Sequence, residues 1–171
     1  RIFHGSECDI MPDGRLDYSD EIRSSLSHIV GSVHALGSWR NRDEYTNTEA
    51  LINAIEDPTF TILGHPTGRI LQGRDGYEVD LHTVLEYMSE ANKEGELKAV
   101  ELNASPYRLD LDWRFCKRAK ELGVPVSIGQ IELNYFDALT AHDLYIEDQQ
   151  HDTMIYIAEL GVNYDLFSFS N

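Results

Sequence analysis

A chain of 171 residues, 42% of them apolar, is long enough to bury a core and too apolar for disorder. No apolar run approaches the roughly 18 residues that cross a bilayer, and no basic n-region precedes an apolar h-region, so a cytoplasmic protein without a membrane partner is expected. Thirty acids against fourteen bases give a net charge of −16. That makes the chain alone a poor general nucleic-acid binder; it suits divalent cations, or a domain that receives nucleic acid from a basic neighbour.

In chain order, "RIFHGSECDIM" is a short β-prone run that passes into a turn at Pro12, Asp13 and Gly14. "SDEIRSSL" reads as a short helix with Ser19 as N-cap and acids in its first turn. "HIVGSVH" has the near-continuous apolar character of a strand buried on both faces. "ALGSWRNRDEY" is polar and loop-like, and "TNTEALINAIEDP" is a helix with Leu51, Ile52 and Ile55 on one face and Pro58 as its stop. "TFTILGH" is the next strand and "PTGRILQGRDGY" a glycine-rich loop.

"EVDLHTVLEYMSEANKEG" is a long amphipathic helix, with Leu81, Val84, Leu85 and Met88 at i, i+3, i+4, i+7 and Gly95 past its end. "KAVELNA" is a buried strand, "SPYRLDL" a loop, "DWRFCKRAKELG" a helix closed by Gly123, and "VPVSIG" a strand. Beyond Gly129 the period blurs: residues 130–161 read as one or two helices, and "VNYDLFSFS" as a last strand. Strand and helix alternate at least four times, which is the rhythm of parallel strands joined by helices, so the class is α/β.

In such folds functional groups gather at the C-terminal ends of the strands. Glu7, His34 and His65 fall at the ends of three successive predicted strands, with Glu101 and Asn103 at the end of a fourth. One carboxylate and two imidazoles suit zinc, manganese or iron. A single histidine at a strand end is more often a satisfied structural residue, but three potential ligands at equivalent positions favour a metal. Arg69, Arg74 and Arg108 lie in loops on the same predicted face, available either to phosphate or to nearby acids such as Asp75, Asp110 and Asp112. Cys8 and Cys116 form no recognisable spacing and read as inert thiols. The acidic run at 146–152 reads as a solvated face.

Taken in order, "HGSECDIMPDGRLDY", "IVGSVH", "ILGHPTGRILQGRDGYEVD", "AVELNASPYRLDL" and "RAKELGVPVSIG" resemble the PHP (polymerase and histidinol phosphatase) domain, in the form attached to bacterial X-family DNA polymerases. The resemblance covers about residues 1–129. It implies part of a distorted (β/α)7 barrel, up to three divalent metals at the strand C-termini, and phosphoester hydrolysis. In the polymerase-linked branch it implies manganese-dependent 3′-5′ exonuclease and DNA-end phosphatase activity; stand-alone relatives act on histidinol phosphate. Carried over by motif, Glu7 bridges two metals, His34 and His65 complete one of those sites, and Arg69 and Arg108 lie near the phosphate.

The family's opening His-x-His and Asp-His motifs do not occur, and the sequence starts where the third barrel strand would be, so it reads as a fragment or a truncated form. "QIEL" stands where the family closes with Asp-Ala-His, and His142 in "TAHD" is either the displaced ligand or unrelated. By this count one site, for manganese or zinc, keeps its ligands.

The expectation is therefore a single incomplete domain over residues 1–171, divergent over 130–171. It would be a metal-dependent phosphoesterase acting on a phosphate ester, with a DNA 3′ end presented by a basic neighbouring domain. As it stands, weak or no catalysis is expected. Two alternatives remain: a degenerate, non-catalytic PHP module for structure or interaction, and a small-molecule phosphatase of the histidinol phosphate kind.

Overall fold

The computed structural model describes residues 4–105, 107–128, 139–147 and 153–162. The chain forms two compact units, Arg1–Glu132 and Leu133–Asn171. In the first, five short strands alternate with helices: β1 Gly5–Asp9, α1 Asp20–Ser25, β2 His28–Ser32, α2 Leu36–Arg40, α3 Glu44–Ile55, β3 Ile62–Leu63, α4 Leu81–Lys93, β4 Ala99–Leu102, α5 Trp113–Leu122 and β5 Val126–Ile128. Neighbouring strands all pair in parallel, in the order β1-β2-β3-β4-β5. The α/β class follows directly; the described residues show a five-stranded parallel sheet and no more of a barrel than that.

The sheet and helices close on one apolar core. Ile29, Leu63 and Val100 come from the strands, Leu51 and Ile55 from α3, and all four periodic residues of α4 are buried with them. Each such side chain contributes roughly 1.5–3 kcal/mol by leaving water. Local signals fix the helix ends. The Asp43, Asp80 and Asp112 side chains accept main-chain N–H groups at the starts of α3, α4 and α5, and Gly123, at φ 72°, closes α5 in the left-handed conformation. Lys98 is fully buried, yet its ammonium donates to the carbonyls of Asp57 and Phe60 and pairs with Glu96 at 2.9 Å, so the charge is satisfied.

Several sequence expectations change. "ALGSWRNRDEY" is not all loop: α2 forms there because Leu36 and Trp39, three residues apart, both bury one side of a single turn and a half. Ser19 stands at the N-cap of α1 without a side-chain capping bond. The second unit is not helical where described: β6 Leu139–Glu147 and β7 Thr153–Val162 pair antiparallel. Runs such as "MIYI" in β7 are rich in the β-branched and aromatic residues that favour extended chain over helix. Most of the proposed last strand, beyond Val162, lies outside the described residues.

Candidate metal centre

The site is assembled at the C-terminal ends of β1, β2 and β3. Glu7 lies near the end of β1, His34 two residues past β2, and His65 two residues past β3. Parallel pairing brings these ends side by side, Glu7 opposite Val30 and Val30 opposite Ile62. The two imidazoles converge on one oxygen: His34 Nε2 is 3.2 Å and His65 Nε2 3.3 Å from Glu7 Oε1. Their rings meet edge to face with centroids 5.2 Å apart. One ligand atom from each of the three residues lies within 4.8 Å of the others, and among the described residues this is the one such group of three or more.

The surroundings hold the three side chains in place. His34 Nδ1 makes a short contact with the Asp9 carboxylate, which orients the ring toward Glu7. His65 is buried and sits at φ 24°. Its main-chain N–H donates to Glu101 Oε2 at 2.5 Å. Gly64 before it must lack a side chain, since a Cβ there would lie 2.2 Å from Ser32 Oγ. The following turn is pinned twice more: Thr67 N–H donates to Asp110, and the Tyr77 hydroxyl donates to the Pro66 carbonyl at 2.5 Å.

Electrostatics suit a cation. Burial lowers the His65 pKa, the charge of Arg108 lowers it further, and Glu7 opposes both. Burial thus favours the neutral imidazole, the form that ligates. Burial raises the Glu101 pKa, with the Glu7 charge adding to it and the His65 N–H opposing. The His65 Nδ1 atom is buried without a hydrogen-bond partner among the described residues. Two neutral-capable nitrogens and a carboxylate form a donor set that fits a borderline divalent ion such as zinc or manganese.

The two arginines differ. The Arg69 guanidinium donates to the carbonyls of Arg108, at 3.1 Å, and of Leu109, and pairs with Asp112 at 3.3 Å. It therefore ties the loop after β3 to the loop after β4. The Arg108 guanidinium has no hydrogen-bond or ion-pair partner among the described residues, and its charge is felt at His65. His142 falls in β6 of the second unit, and its side chain lies outside the described residues. Asp9 was missed by the sequence reading, although a signal existed: it is two residues from Glu7 in one strand and so shares its face. The pinning roles of Tyr77 and Asp110 had no local signal.

Comparison with known proteins finds relatives of two kinds. The chain is 38% identical over 129 residues to a DNA polymerase/3′-5′ exonuclease, PolX, of Bacillus subtilis, a match that covers 75% of this chain and 21% of that protein. It is 33% identical over 135 residues to a probable phosphatase of Caldanaerobacter subterraneus, covering 75% of this chain and 49% of the relative. A probable phosphatase of Aliivibrio fischeri is 28% identical over 130 residues, with 50% of its length covered. The chain thus spans half the length of these relatives or less. No family model matches it. No helix among the described residues is long and apolar enough to cross a membrane.

Proposed function

We propose, from the premise that the chain is a PHP-type homologue of these proteins, that it is a metal-dependent phosphoesterase domain of the 3′-5′ exonuclease and phosphatase kind. The observation that carries this is the convergence of His34 and His65 on one oxygen of Glu7 at the ends of adjacent parallel strands. A divalent ion bound there supplies water activation and neutralises charge on the phosphate. Glu7, His34 and His65 hold the ion. Asp9 fixes the ring of His34, and the Glu101 contact fixes the backbone of His65. Arg108 takes phosphoryl oxygens as negative charge builds on them, a role supported by its guanidinium having no partner among the described residues. Arg69 acts one step back, by holding the loop that carries Arg108.

The substrate this reading favours is a phosphate ester at a DNA 3′ end, in line with the similarity to the Bacillus subtilis 3′-5′ exonuclease. The acidic balance and the phosphatase relatives support a second reading, a small ester such as histidinol phosphate. The deciding experiment incubates the full-length protein with Mn2+ or Zn2+ and follows shortening of a 5′-labelled single strand and phosphate release from histidinol phosphate. Shortening of the strand supports the first reading and phosphate release the second. Inactivity on both with either metal supports a non-catalytic module.

A further inference from the structure

Beyond His65 the same loop builds a feature that the metal cluster does not use. Arg40 from the end of α2, and Arg69, Leu71 and Arg74 from the loop after β3, line a pocket of about 420 Å3. Three of the chain's fourteen bases thus meet at one place in a chain of net charge −16. Arg69 is fixed by its carbonyl and Asp112 contacts. Arg40 and Arg74 are exposed, and neither guanidinium has a hydrogen-bond or ion-pair partner among the described residues.

Exposed apolar surface collects at the same place. Leu71 N–H donates to the Tyr107 carbonyl at 2.7 Å, which docks the pocket wall on the loop after β4. Tyr107 is 64% exposed, and Trp113, next in sequence to the Asp112 partner of Arg69, is 77% exposed. Of the eight large apolar side chains exposed among the described residues, Leu71, Tyr107 and Leu109 belong to these two loops, and Trp113 opens α5 directly after the second. Unpaired guanidinium groups lining a pocket whose wall is hydrogen-bonded to a loop with an open aromatic face suit a single strand, since its phosphates and bases alternate. A duplex would hide the base faces, and a small phosphate ester would need no aromatic platform.

We propose that the surface formed by Arg40, Arg74, Tyr107 and Trp113 grips single-stranded nucleic acid, with phosphates on the two guanidinium groups and bases on the two aromatic rings. The inference rests on the phosphoesterase reading in one respect: the strand's 3′ end runs along the loop after β3 toward His65. It assigns strand capture to this chain itself rather than to a basic neighbour alone.

The test is fluorescence anisotropy of a 5′-labelled oligothymidylate titrated with the full-length protein in EDTA. The wild type is compared with an Arg40→Ala/Arg74→Ala variant and a Tyr107→Ala/Trp113→Ala variant, each checked for folding by its thermal melt. Both bind about tenfold or more weakly. For the arginine variant alone, the slope of log affinity against log salt becomes shallower by roughly 1.4, the value for two lost phosphate contacts on a single strand. A folded arginine variant with wild-type affinity and slope overturns the proposal. Mn2+ titration of the same proteins, exchanged into buffer free of EDTA, separates the two readings. A wild type that takes up Mn2+ but not the strand overturns the capture surface alone. One that binds the strand through these residues but takes up no metal supports the surface and overturns the phosphoesterase reading.

Discussion

The main-chain N–H of His65 donates to the carboxylate of Glu101 from the adjacent strand β4, so the residue that enters the metal cluster by its ring is anchored by its backbone. Glu101→Ala leaves that part-buried N–H without its acceptor and should cost about 1–3 kcal/mol. Glu101→Gln keeps an oxygen acceptor and should lose clearly less. Urea denaturation of both variants checks this; equal losses would assign the effect to the charge of Glu101 rather than to its hold on the loop.

Glu7 is half exposed, so its replacement need not disturb the core. Glu7→Gln keeps the shape and removes the one anionic donor of the cluster. Affinity for Mn2+ or Zn2+, measured by calorimetry, should fall by more than the roughly 10–100-fold typical of a residue that merely orients a ligand. An unchanged affinity would mean that the three side chains meet for another reason.

Asp9 touches the cluster only through His34 Nδ1. Asp9→Asn should therefore weaken metal binding within that roughly 10–100-fold range, while the melting temperature of the metal-free protein moves little. A large fall in metal-free stability would make Asp9 a structural residue instead.

Asp112 caps α5 and accepts from both Arg114 and Arg69. The Arg114 hydrogen bonds, above all the side-chain one, hold its carboxyl well below the usual carboxylate range. A carboxylate whose pKa is lowered on folding contributes stability above its unfolded value, about 3.9, and that contribution is lost as pH falls toward the folded value. Asp112→Asn should be less stable than wild type at pH 7, and the gap should close on acidification below about pH 4. Denaturation at a series of pH values tests this; a gap that stays constant would remove the charge from the account.

What the sequence disclosed, and what it withheld, follows from the range of the forces. The parallel alternation and the α4 stripe are local patterns, and parallel strands necessarily bring Glu7, His34 and His65 to one edge. Helix α2 escaped because its two core residues are too few to show a period. The hairpin of β6 and β7 escaped because polar residues interrupt its alternation, as "AHD" does in β6. Arg69 shows the deeper limit. Its type and position suited phosphate equally well, but its partners are carbonyl oxygens some forty residues away, set by tertiary packing that no local pattern announces.

The φ of 24° at His65 sets folding and chemistry against each other. A residue with a Cβ pays for that backbone conformation, whereas glycine adopts it freely and asparagine at lower cost. The histidine is thus a poor choice for the turn and a good one for the cluster. His65→Gly should abolish metal uptake while giving back part of the backbone cost, offset by the packing of the lost ring. A search of variants for heat resistance alone would then drift toward glycine or asparagine at this position and discard the ligand, so stability selection on this protein needs a metal-binding check beside it.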